Sequence, residues 1–378
     1  MDVSFLGTNV LLKKGHFLAM TADELIAKHV EKQDLGGAVL LVQKDGEVVH
    51  KRSFGLADLG AEMTEEHVFD IASLTKVYGT TLACMLLVDR GNLVLDEPVS
   101  TYLKEFGSEE KKAITLRQLL NHSSSLLEWK PLYYHVQSKA EALKFIADLP
   151  LKYPVGEGRH YSDLGFMILG LLIERVSQQS LDQFLGGLYS QWGLQCGFAP
   201  PSGSSVVATS QQGNDFEERM VKDDTFGFHC EENFENFNHW RQGLIRGEVN
   251  DGNAHYVFDG VAGHAGLFAR IDDLYQLGNL LLKNDGSVVS QKTFAEFTRT
   301  DKYGNGLGWA KSDDVLCFKN TSNAFGHYGF TGTTSVLFPE SQSALHLLTN
   351  RQFYGLRGNG YFDWKELTGK LVEEFDLQ

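Results

Sequence analysis

Long apolar runs are scarce in this chain. The most apolar run covers only residues 164–173 and is bracketed by Asp163 and Glu174, far short of the roughly 20 apolar residues that a membrane helix needs. Cysteine is equally rare. Cys84, Cys196, Cys230 and Cys317 lie far apart with no C-x-x-C pair, which argues against a disulfide scaffold and fits reduced thiols. Basic charge is short as well: 34 Lys and Arg stand against 49 Asp and Glu. Recognition of a nucleic-acid backbone uses Lys and Arg, so that partner is not expected, and the acidic excess mainly implies solubility. The thirteen histidines are scattered, with no Cys/His cluster at zinc spacing and no H-E-x-x-H. G-x-S-x-G and G-x-x-x-x-G-K-[ST] are missing too. No metal and no cofactor is therefore called for. The N-terminus starts Met1-Asp2-Val3-Ser4, and Lys13-Lys14 follow the first short apolar run. A secretory leader has the reverse order, so the cytoplasm is the expected location.

The 378 residues, 42% of them hydrophobic, allow one large domain or two intimate ones. Residues 21–33 read as an amphipathic helix capped at Thr21 or Asp23, with Leu25, Ile26 and Val30 inward. Residues 37–43, an Asp45-Gly46 turn and residues 47–50 predict a hairpin. From 99 to 254 helical candidates dominate, at 116–122, 139–147, 165–178 and 181–191, with 200–236 loop-like around Pro200-Pro201-Ser202-Gly203 and an acidic run at Asp215. A helix at 271–282, strands at 333–338 and 343–349, and a closing helix near 364–375 follow. This order predicts an α+β fold of α/β-sandwich type: an antiparallel sheet flanked by helices, built from 1–98 and 255–378, with an all-helical domain, 99–254, inserted and a catalytic cleft between the two.

The chain is organised around Phe69-Asp70-Ile71-Ala72-Ser73-Leu74-Thr75-Lys76. Ile71, Leu74, Tyr78, Leu82, Met85 and Leu86 recur at helical spacing, so Ser73 and Lys76 share a face near the start of a buried helix. A desolvated lysine can activate a serine. The plainer alternative is that Ser73 is an ordinary first-turn residue and Lys76 is solvated. Gly156-Glu157-Gly158-Arg159-His160-Tyr161-Ser162-Asp163 presents a tyrosine at the edge of the next long helix, where it could relay a proton; Ser162 or Asp163 could instead simply cap that helix. Gly326-His327-Tyr328-Gly329-Phe330-Thr331-Gly332-Thr333 is rich enough in glycine for a ligand to approach the backbone, and as an edge strand it could offer free N–H groups to an oxyanion; otherwise it is a glycine-rich bulge. In Gly260-Val261-Ala262-Gly263-His264-Ala265-Gly266 the small residues suggest close packing around a cleft, with His264 structural.

Taken together these residues resemble the serine β-lactamase and penicillin-binding-protein superfamily, for which Ser-x-x-Lys is a signature. The likeness is to its class C-like branch of β-lactamase-like esterases, D-amino-acid peptidases and muramoyl-peptide amidases. There the second motif begins with Tyr and the third is often His-x-Gly, as in Tyr161-Ser162-Asp163 and His327-Tyr328-Gly329. Leu95-Asp-Glu-Pro-Val-Ser-Thr-Tyr-Leu103, Ile114-Thr-Leu-Arg-Gln-Leu-Leu-Asn-His-Ser-Ser-Ser-Leu126 and Gly306-Leu-Gly-Trp309 also look like family segments. Val249-Asn-Asp-Gly-Asn-Ala254, Gly263-His-Ala-Gly-Leu-Phe268 and Leu348-Thr-Asn-Arg351 resemble a subgroup tied to peptidoglycan turnover.

The resemblance implies Ser73 as the acylated nucleophile, Lys76 and Tyr161 sharing base and acid duty, and an oxyanion hole from the N–H groups of Ser73 and Phe330. It implies that His327 replaces the basic third-motif residue and contacts a substrate carboxylate or carbonyl. Asp163 stands where many relatives carry Asn and would repel an anion or hold Lys76 charged, which puts β-lactamase activity in doubt. Tyr328 is bulkier than the usual Thr or Ser and would narrow the cleft beside Gly329. The expected activity is a metal-free serine acyl hydrolase acting on a small muropeptide-like amide. A carboxylesterase of the same fold is the alternative, and a silent binding protein is the alternative of another class. Oligomeric state is left open.

Overall fold

The buried segments 37–44, 333–338 and 343–349 form the middle of the main sheet. The computed structural model describes residues 20–201, 206–223, 225–356 and 362–378. In chain order the strands are β1 (Gly37–Lys44), β2 (Glu47–Asp58), β3 (Ala61–Glu62), β4 (Phe69–Asp70), β5 (Thr209–Gln212), β6 (Leu244–Arg246), β7 (Phe268–Ala269), β8 (Phe325–Gly329), β9 (Thr333–Phe338) and β10 (Ser343–Thr349). The main sheet runs β3-β2-β1-β10-β9-β8 and is antiparallel throughout. Both faces are buried. Val39, Leu41, Leu337 and Leu348 enter the larger core, beneath helix Ile271–Leu282, while Ala38, Leu40, Val42, Val336 and Leu347 pack against helices Ala22–Glu31 and Trp364–Glu374. Gly278 lets the first of these helices lie close: a Cβ there would stand 2.9 Å from Leu337.

Most expected elements form. Thr21 caps the first helix in a capping box with Glu24. Helices Leu116–Leu120, Lys139–Asp148, Asp163–Ser177 and Leu181–Gln191 stand where periodicity placed them. The expected hairpin is longer than read, because β2 continues to Asp58 through residues that alternate poorly. Residues 99–254 are not all-helical: β5 pairs with β6, and Val207 bridges Val68. The stretch read as loop contains helix Asp215–Lys222, whose acidic first turn suits the positive end of its dipole. The expectation of no secretory leader concerns residues 1–19 and lies outside the described residues, as do Ser202 and Gly203 of the Pro-Pro-Ser-Gly turn. Among the described residues all four cysteines are free, and no helix is long and apolar enough to cross a membrane.

Candidate functional site

Ser73 sits in a tight turn between β4 and a helical run of π-helix Lys76–Thr81 continued by α-helix Leu82–Asp89. The preceding Ala72 adopts φ +47°, a left-handed conformation that costs a non-glycine residue about 1–2 kcal/mol. Asp70 stabilises it: its carboxylate accepts the Ala72 N–H at 2.8 Å and the Asn250 N–H at 2.6 Å. π-turns are rare and cluster at functional sites; here Thr80 within the turn donates to the Gly263 carbonyl at 2.6 Å.

Lys76 is completely buried. Its ammonium donates to Ser73 Oγ at 2.8 Å and to the His264 carbonyl at 3.2 Å, and lies 2.7 Å from Asp163 Oδ1. Burial pulls the Lys76 pKa down, but Asp163 and Tyr161 outweigh burial and the net direction is up. The resting lysine is therefore a cation pointing a proton at Ser73.

Tyr161 arrives from the far side. Its hydroxyl faces both Lys76 and Ser73, and burial raises the phenol above its ordinary range against the opposing pull of Lys76. Ser162, not Asp163, caps the following helix, accepting the Gly165 N–H at 3.1 Å. His122 holds the loop: its Nδ1 accepts the Ser162 N–H at 3.0 Å, its carbonyl accepts the His160 N–H at 2.7 Å, and its ring lies 4.6 Å from that of Tyr161.

β8 is the sheet edge beside Ser73. Thr331 and Thr333 donate to the carbonyls of Asp70 and Ile71 at 2.8 and 2.9 Å, and a Cβ on Gly329 would stand 2.5 Å from the Ile71 carbonyl. These contacts fasten the Phe330 turn to the Ser73 turn. Among the described residues neither backbone N–H, of Ser73 or of Phe330, has a hydrogen-bond acceptor, so both are available to a ligand oxygen.

Packing sets the state of two third-motif side chains. His327 is buried and donates from Nδ1 to the Tyr328 carbonyl at 2.8 Å. Burial, reinforced by Lys76, pushes its pKa down to about 3, so it stands in the site as a neutral ring and not as a cation for a substrate carboxylate. Tyr328 alternates to the opposite face of β8: its hydroxyl donates to the Leu316 carbonyl at 2.6 Å and its ring stands edge-on to Trp364. Most of its bulk packs in the core, and the rest lines the cleft.

A cleft of about 710 Å³ opens over these groups, within the usual range for small-molecule sites. Trp129, Phe216, Phe226, Phe228 and Phe330 give it an aromatic wall. Two acids on another wall escaped the sequence reading. Asp251 caps helix Gly252–Tyr256 and meets His264 Nε2 at 2.9 Å; burial alone would raise its pKa, but His264 and Lys76 bring it below the usual carboxylate value. Glu217 accepts the Gly252 N–H at 2.8 Å, and burial, aided by Asp251, pushes its pKa up to about 8. An acidic run reads as solvent-facing, and nothing local shows that its third residue turns inward. Asp251 did lie inside a quoted family segment, which was the available signal.

The Beta-lactamase family model matches residues 22–362. The chain belongs to the Beta-lactamase family. Within that family it is 31% identical over 360 residues to an N-acetylmuramyl-L-alanine amidase of Bacillus subtilis (strain 168), covering 84% of this chain and 77% of the relative. It is 28% identical to a putative D-alanyl-D-alanine carboxypeptidase of Escherichia coli (strain K12), covering 82% and 77%. Among solved structures, EstCE1, a hydrolase with promiscuous acyltransferase activity, superposes with a TM-score of 0.69 at 19% identity over 93% of this chain and 97% of that one. A β-lactamase from Sulfitobacter sp. EE-36 gives 0.69 at 19%, over 94% and 96%. These neighbours share the β-lactamase/transpeptidase fold, and the chain is a serine hydrolase of that fold.

Proposed function

We propose that this β-lactamase-fold enzyme cleaves an amide in peptidoglycan-derived fragments through an acyl-enzyme on Ser73, in a cleft between the sheet-and-helix part (1–98, 255–378) and the insertion (99–254). The contact that carries the reading is Lys76 Nζ to Ser73 Oγ at 2.8 Å, with Tyr161 facing the same oxygen. In the form with Lys76 neutral, Ser73 Oγ attacks the carbonyl carbon and its proton passes to Lys76, which Tyr161 adjoins. The Ser73 and Phe330 N–H groups hold the oxyanion. As the C–N bond breaks, the leaving amine takes a proton from Tyr161, and water then hydrolyses the acyl-serine ester. Retention of Ser73, Lys76 and Tyr161 together weighs against a silent binding protein.

The amide preference rests on the Bacillus subtilis relative. The aromatic wall favours a second reading, a carboxylesterase with an apolar acyl group. Turnover of N-acetylmuramyl-L-alanine against p-nitrophenyl butyrate separates the two: ester cleavage with no amide cleavage overturns the first. Tyr161→Phe is expected to slow amide turnover by about 10²–10⁴, the usual range for acid–base catalysis; an unchanged rate removes Tyr161 from the mechanism.

Asp163 sets the pH range. A base works deprotonated, and an adjacent carboxylate favours the protonated lysine, so activity resting on neutral Lys76 rises only at high pH. Asp163→Asn removes that charge. The rising limb of kcat/KM against pH should then move down by about 1–3 units, the size of a close opposite-charge effect. A limb that stays in place shows that Lys76 is not the titrating base.

A further inference from the structure

Arg159 is a cation of the cleft without a partner. It lines the same cavity as Ser73, Tyr161 and His327. Its Nε is buried without an acceptor, and among the described residues its guanidinium makes no ion pair. Its charge is felt by Tyr161, His122 and His327, which places it on the Tyr161 side of the nucleophile. The carboxylate that acts on it, Asp301, is occupied elsewhere: it accepts from Asn121 Nδ2 at 3.0 Å and from the Tyr303 and Asn305 N–H groups at 2.8 and 3.1 Å.

The other ionisable groups of the cleft have partners of some kind. Lys76 is paired with Asp163, and Asp251 meets the His264 ring at 2.9 Å. Lys365 stands over the rings of Tyr328 and Trp364. His327 is neutral and directs its ring N–H at a backbone carbonyl. A part-buried guanidinium is held at a cost unless an anion meets it, and its planar fork suits a carboxylate.

We infer that Arg159 anchors a carboxylate carried by the leaving amine of the substrate, so that the site selects N-acyl amino acids or short N-acyl peptides with a free carboxylate. This rests on the proposed acyl transfer at Ser73, because Tyr161, two residues along the chain, is the group that would protonate the departing amine.

The test is competition against p-nitrophenyl butyrate hydrolysis by N-acetylmuramyl-L-alanine and by its C-terminal carboxamide, which reads binding whether or not either compound is cleaved. In the wild type the free acid should inhibit about 10–100-fold more strongly than the carboxamide, the value of a hydrogen bond to a charged group. That difference should collapse to about twofold or less in Arg159→Gln and largely survive in Arg159→Lys, which also controls for misfolding. Equal inhibition by the two compounds in the wild type, no inhibition by either, or a full difference in Arg159→Gln overturns the assignment. Carboxylate-dependent inhibition without cleavage upholds Arg159 as anchor and overturns the amidase reading alone.

Discussion

Ser73→Ala is expected to lose acyl-enzyme formation, with turnover down by about 10⁶, the scale seen when a serine nucleophile is removed. Mass spectrometry after mixing with p-nitrophenyl butyrate should show an acyl adduct on wild type only. The variant should remain folded. Ser73 Oγ accepts a hydrogen bond from Lys76 and adjoins the Tyr161 hydroxyl, and Lys76 keeps both Asp163 and the His264 carbonyl. Loss of that bond costs about 1 kcal/mol. Equal turnover by the two proteins refutes the nucleophile, and a variant that unfolds would show that the hydroxyl is a structural pin.

Lys76→Ala has the second large effect, and it acts on stability as well as rate. Lys76 is wholly buried and its partner Asp163 is 17% exposed. Removing one member of a buried ion pair typically costs 3–5 kcal/mol, because the other charge is left uncompensated. Activity should fall nearly as far as in Ser73→Ala, while urea unfolding reports a loss of about that 3–5 kcal/mol. Lys76→Ala with Asp163→Asn removes the stranded charge, so it should regain much of the stability and none of the activity. The two readouts therefore separate. If the double variant is no more stable than the single one, the Lys76–Asp163 contact does not hold the site; if Lys76→Ala turns over at the wild-type rate, lysine has no part in the chemistry.

The spacing of Ser73 and Lys76 translated directly into geometry, because three residues in a first turn fix relative direction. Thr21, Ile271–Leu282 and the β9–β10 hairpin were legible for the same reason: each is governed by neighbours in sequence. Tyr328 lines the cleft while most of its ring packs in the core, a division that motif size does not reveal. The neutrality of His327 follows from burial beside Lys76, which no local pattern encodes. Glu217 was hidden in an acidic run, where sequence alone does not distinguish an inward carboxylate from half-buried neighbours.

The sequence by itself determined the fold class, the order of the three motifs and the Ser-x-x-Lys pairing, since these depend on short-range periodicity and spacing. Only the tertiary structure decided how those parts are charged and aimed. Asp163 meets Lys76 from a helix 87 positions away, counting from 76 to 163, Thr331 and Thr333 clamp the Phe330 turn onto Asp70 and Ile71, and Arg159 is left without a counter-ion. Desolvation and charge pairing act through space, and the partners that set them come together only when the chain packs.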